Sequence, residues 1–154
     1  MKPNFAKLIE RVESLSVLDA THDYRHGISF EQLRRVDPLA DEEDFRLMTD
    51  SEAIDVLEAL WEERGYGLLC HDPVLSAEAF VFGCIFGEEI AAWLLEEAAM
   101  VAKVDRSHEM TEAPTDREIT PRLAEQLSKA AHDTLGNFRR LVAGYVGWRG
   151  RTCN

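Results

Sequence analysis

Apolar residues in this chain recur at three- and four-residue intervals, and most runs are bracketed by residues that start and stop helices. Phe5, Leu8, Val12 and Leu15 fall on one helical stripe, with Pro3 where a first-turn proline is tolerated and Gly27 as a stop. Ser29 with Gln32 makes a capping box for a short helix that Asp37-Pro38 ends, and Asp41 caps a short turn of its own. Thr49 with Glu52 opens a further helix carrying Ile54, Leu57, Leu60 and Trp61, closed by Gly65. Thr120-Pro121 joins an N-cap to a first-turn proline, and Leu123, Leu127, Ala130, Thr134, Phe138, Leu141 and Tyr145 follow on one face.

The longest helix is predicted over residues 76–103, opened by Ser76 and apolar on all sides at Phe80, Val81, Phe82, Ile85 and Phe86. A helix without a polar face belongs at the centre of a bundle. Gly83 and Gly87, four apart, cost helix propensity and so point to close approach by a neighbouring helix. Residues 66–73 and 105–120 read as loops, and no hairpin pattern stands out. The expectation is an all-α, single-domain bundle of about five helices over residues 1–147, with the 76–103 helix at its centre and residues 148–154 as a short basic tail.

Charge is segregated. Residues 37–100 carry seventeen acids against only Arg46 and Arg64, whereas residues 122–154 carry six bases against two acids. An acidic centre disfavours direct contact with nucleic acid or an anionic membrane, because phosphates are held by cations. It suits a basic protein partner, including a nucleic-acid-binding enzyme whose groove an acidic face would occupy. The candidate face is Asp41, Glu42, Glu43, Asp44, Asp55, Glu58, Glu62 and Glu63; Glu58 and Glu62 are helix neighbours whose like charges repel. The longest apolar stretch, residues 79–87, is too short to span a bilayer. With no signal-peptide pattern and three cysteines (Cys70, Cys84, Cys153) at no paired spacing, a cytoplasmic protein with buried thiols is expected.

Two patterns offer metal chemistry as an alternative. If the first helix runs on to Gly27, Asp19, His22 and His26 share its apolar stripe, and histidines four apart can reach one divalent ion. Glu89 and Glu96, seven apart on the central helix, are then the completing carboxylates. The second pattern is Leu68-Leu69-Cys70-His71-Asp72, whose His71-Asp72 resembles the His-Asp doublet of the HD phosphohydrolase superfamily. That resemblance implies an all-helical fold, a first ligand from His26, a last one from Asp105, and metal-activated water attacking a phosphate ester. Pro73 follows the doublet directly, where the family continues helix. No serine elbow, phosphate loop or dinucleotide fingerprint is present. The leading expectation is therefore a non-enzymatic protein-binding domain of inhibitor or immunity type, without a cofactor. A divalent-metal protein is the alternative, and self-association through Gly83 and Gly87 a further mode.

Overall fold

A computed structural model describes residues 2–19, 21–104 and 117–152 of the 154-residue chain, the last two of these by backbone alone. Among the described residues the elements run α1 (Phe5–Ser16), β1 (Tyr24–Arg25), β2 (Ile28–Ser29), α2 (Phe30–Val36), α3 (Glu42–Arg46), α4 (Asp50–Glu63), a 3-10 turn (Tyr66–Leu69), α5 (Pro73–Phe86), α6 (Glu88–Met100), α7 (Pro121–Lys129) and α8 (Thr134–Thr152). The chain is mostly helical, with eight α-helices where about five were expected. No described helix is long and apolar enough to cross a membrane.

The caps explain the helix starts. Ser29 accepts from the Gln32 amide while the Gln32 side chain accepts from Ser29 N–H, closing both halves of a capping box. Asp41 and Asp44 do the same for α3, and Thr49 and Thr120 cap α4 and α7. Asn4 caps α1. Gly65, at φ 76°, lets the chain leave α4 in the left-handed conformation.

The continuous 76–103 helix is not formed. It begins earlier, at Pro73, with Asp72 as its cap, and Ser76 is buried and donates to the Tyr66 carbonyl at 3.2 Å. Gly87 then breaks it at φ 107°, so that α5 and α6 fold against each other. Gly83 serves that packing, since a Cβ there would collide with the Tyr66 hydroxyl and sit 3.3 Å from the Ala91 Cβ. The central role survives in α5, which packs on α1, α6, α8 and the 3-10 turn. Phe80 meets Phe5, Trp61 and Tyr66 edge-on, while Phe82 meets Phe138 and Tyr145.

The face running from Leu123 to Tyr145 is likewise cut in two. Asp133 accepts from the Gly136 amide at 2.9 Å and starts α8 afresh. Helix α8 continues to Thr152, through residues set apart above as a basic tail. Its buried Asn137 donates to the Val101 carbonyl at 2.8 Å and accepts from Val104 N–H, fixing the chain as it leaves α6.

The first helix ends at Ser16, well short of Gly27. Residues 24–29 form an antiparallel hairpin pairing Tyr24 with Ser29 and Arg25 with Ile28. Its two-residue turn, His26-Gly27, has φ of 53° and 79°, the double positive φ of a type I′ turn. Glycine is required there by contact as well as by φ: a Cβ on Gly27 would lie 2.7 Å from Val12 Cγ1 and 3.0 Å from Glu13 N. The turn is therefore pressed directly onto α1.

Candidate functional site

The polar constellations converge on the segment between α1 and α2. Asp19 is 5% exposed although ionised, so its charge must be answered by donors. Thr21 donates to it from both N–H (3.1 Å) and Oγ1 (2.6 Å), Tyr24 Oη donates at 2.6 Å, His22 Nδ1 lies at 3.1 Å, and an Arg149 guanidinium nitrogen from α8 lies at 3.3 Å. Burial alone would raise the Asp19 pKa, but the donors from Thr21, Tyr24 and His22 outweigh it and hold the carboxyl far below its ordinary range. Burial, and then the hydrogen bond to Asp19, push the Tyr24 phenol above its usual value. Arg149 also lies over the Phe86 ring, 5.3 Å from its centroid. Asp19 thus fastens α8 to the hairpin.

That arrangement sets His22. Thr21 Oγ1 gives its proton to Asp19, so His22 Nδ1 carries a proton toward Asp19 Oδ2 and Thr21 Oγ1. His22 Nε2 is the free ring nitrogen, 3.9 Å from Glu31 Oε2. It faces a recess of about 500 Å³ lined by Thr21, His22, Asp23, Phe30, Glu31, Glu42 and Phe45. Phe30 and Phe45 meet edge-on, 5.7 Å between centroids, so the recess joins an aromatic wall to three exposed carboxylates. Among the described residues Asp23 and Glu42 make no ion pair, and Glu31 has His22 as its one ion-pair partner.

His26 is oriented separately. Its Nε2 lies 2.9 Å from the Met48 carbonyl and must donate, because a carbonyl only accepts. Nδ1 is thereby aimed at Asp50 Oδ1 (2.6 Å) and Glu13 Oε1 (3.7 Å). These three residues, from α1, the hairpin turn and the first residue of α4, hold their ligand atoms within 4.8 Å of one another.

The sequence-predicted sets are divided by the fold. Asp19 and His22 meet, but neither shares a ligand-sized group with His26. Asp72 spends its carboxylate on the α5 cap, accepting from Leu75 N–H at 3.1 Å, and His71 is exposed beside it. Glu96 pairs with Arg117 at 3.5 Å, and Glu89 lies half-buried near the start of α6. No three of Asp19, His22, His26, His71, Asp72, Glu89 and Glu96 come together among the described residues. Asp105, His108 and Cys153 lie outside the described residues. His132 bonds the Ala98 carbonyl at 2.9 Å. Of the cysteines, Cys84 is buried and Cys70 is exposed, contrary to the expectation that both pack.

The acidic block is also divided. Asp41 and Asp44 are caps for each other's amides. Lys2 lies against Glu58 (3.0 Å) and Glu62, Arg35 against Glu63 (2.7 Å), and Arg46 against Glu43 (3.4 Å). Glu42 and Asp55 are exposed and have no ion pair among the described residues. Sequence reasoning missed Glu13 and Glu31, and it placed Asp50 with the acidic block and not with His26; each lies on a different element from its partner. A groove of about 570 Å³ between α1, α5 and α8 has a floor of Val81, Phe82 and Phe138 that is already buried, with the Glu78–Arg139 pair, 2.7 Å, on its wall. Its rim is exposed at Glu10, Arg11, Ser14 and Arg139, and none of the sequence-predicted site residues lines it.

No family model, curated protein or solved structure matches the chain.

Proposed function

We propose that this is a protein-binding domain that captures a basic partner in the recess between the hairpin, α2 and α3. The supporting observation is the recess itself, where Asp23, Glu31 and Glu42 surround the Phe30–Phe45 pair and, among the described residues, no Lys or Arg pairs with them, although Arg34 lies 5.9 Å from the Phe30 ring centroid. Carboxylates beside an aromatic wall suit an arginine or lysine side chain, which gains charge pairing at its head and ring contact along its stem.

The wider acidity of residues 37–63, eleven carboxylates against Arg46, supports the same reading through steering. Opposite charge accelerates encounter and weakens with salt, because the screening length falls from ~10 Å at 0.1 M to ~3 Å at 1 M. Such a domain acts by stoichiometric occupancy, as an inhibitor of a basic enzyme does, with a nucleic-acid-binding enzyme as the type of target. Affinity capture tests it with wild-type protein and with the triple variant Asp23→Asn, Glu31→Gln, Glu42→Gln. A basic protein retained at low salt by wild type and absent from the variant supports the proposal. Identical retention by both proteins overturns it.

A further inference from the structure

We infer that Glu13, His26 and Asp50 form a binding site for one first-row divalent cation, Zn2+ being the probe of choice. The site is independent of the docking recess: it uses His26, where the recess has His22, and none of the recess carboxylates.

The geometry is that of a ligand set held by its surroundings. His26 Nε2–H is engaged by the Met48 carbonyl at 2.9 Å, which leaves Nδ1 as the nitrogen facing Asp50 and Glu13; without an ion Nδ1 donates its proton to Asp50 at 2.6 Å, and a bound cation displaces that proton. Metal-binding histidines almost always use one nitrogen this way, and the outer hydrogen bond both orients the ring and raises its basicity. Met48 is buried, 1% exposed, so the anchoring strand of chain is part of the core. Gly27 presses the turn against the backbone at Glu13, which sets the neighbouring His26 beside that carboxylate. Asp50 is not consumed by helix capping, because Thr49 performs it. Three donors from three elements therefore converge on one point, with Nδ1 2.6 Å from Asp50 and 3.7 Å from Glu13.

One imidazole nitrogen with two carboxylate oxygens matches the donors that Zn2+, Co2+ and Mn2+ accept, at bonds of about 2.0–2.2 Å for zinc. Exposed carboxylates at these separations close onto such an ion by side-chain rotation alone. Solvent fills the remaining positions, since Glu13 and Asp50 are exposed. A purely oxygen-seeking ion such as Ca2+ gains less from the imidazole, so Zn2+ should outcompete it. A bound ion would join α1, the hairpin and α4 through side chains, tightening the part of the fold that carries the most negative charge.

The test is calorimetric titration of untagged protein with Zn2+, together with the histidine ring signals by NMR. The expected result is saturable binding of one Zn2+ per chain, with His26 the ring signal that shifts. His26→Ala should weaken binding at least about tenfold, Asp50→Asn and Glu13→Gln should each weaken it, and His22→Ala should not. If His26→Ala does not fold, the wild-type ring signals and Asp50→Asn decide the matter. Absence of saturable binding, or a His22 or His71 signal that shifts in place of His26, overturns the assignment.

Discussion

Replacing Asp19 by Asn removes one charge from a buried hub while keeping its shape. In the native chain, donors from Thr21, His22, Tyr24 and Arg149 all point at its two oxygens. An asparagine amide would turn an NH2 group toward groups that donate in the native chain, of which only the Thr21 and Tyr24 hydroxyls can turn to accept, and would remove the charge that Arg149 meets at Asp19. Breaking a buried ion pair costs about 3–5 kcal/mol. Arg149 keeps 24% of its side chain exposed and can regain water, and Tyr24 Oη has the Ile85 carbonyl at 3.4 Å as a substitute. The lower end, about 3 kcal/mol, is therefore expected at pH 7, a fall of roughly 6–12 °C in Tm for a chain of this size. The pH dependence carries a sign. A carboxyl whose folded pKa lies below its unfolded value contributes stability that is complete above roughly pH 5 and is lost as pH falls toward the folded value. At pH 3 the unfolded chain already binds the proton, so the gap between wild type and Asp19→Asn should narrow by about 1 kcal/mol. Thermal unfolding by circular dichroism at both pH values provides the assay. A Tm loss under about 2 °C at pH 7, or a gap that does not narrow at pH 3, would contradict an ionised Asp19 held by these donors.

Gly27→Ala should cost about 2–4 kcal/mol, combining left-handed backbone strain with overpacking against Val12 and the Glu13 amide; urea unfolding would show it as a lower midpoint at unchanged slope. The Cys84 thiol is buried and pushed up to about 12, whereas Cys70 is exposed. Iodoacetamide at pH 8, read by peptide mass mapping, should therefore label Cys70 in the folded protein and Cys84 only after unfolding. Early native labelling of Cys84 would contradict its burial.

Helix starts were legible in the sequence because caps are local: Ser29 with Gln32, Asp41, Thr49 and Thr120 each act within three residues of their partners. Breaks inside apolar runs were not. Ala79 to Phe86 and most of Ala91 to Leu95 belong in the core, and Glu88-Glu89 between them are compatible with a helix interior, so it is the Gly87 φ of 107° that separates the two helices. The hairpin escaped notice because a histidine fills the first turn position, where Asn or Asp is the usual signal. The site pattern was half visible. Asp19, His22 and His26 stand close in sequence, but a single helix was the wrong frame for them. What completes each group comes from afar: Arg149 reaches Asp19 across 130 residues, and Asp50 and Glu13 reach His26 from two other helices. Spacing along one element carries no information about such meetings.

The recess is the centre of the functional account, and an arginine-rich peptide tests it most directly. Titration of the peptide into labelled protein, followed by amide NMR at low and high salt, would locate where a basic side chain settles. The account predicts saturable shifts at Asp23, Phe30, Glu31, Glu42 and Phe45 that vanish at high salt and in the triple variant Asp23→Asn, Glu31→Gln, Glu42→Gln. Shifts spread evenly over the exposed acids of α4, or confined to the groove of α1, α5 and α8, would contradict it.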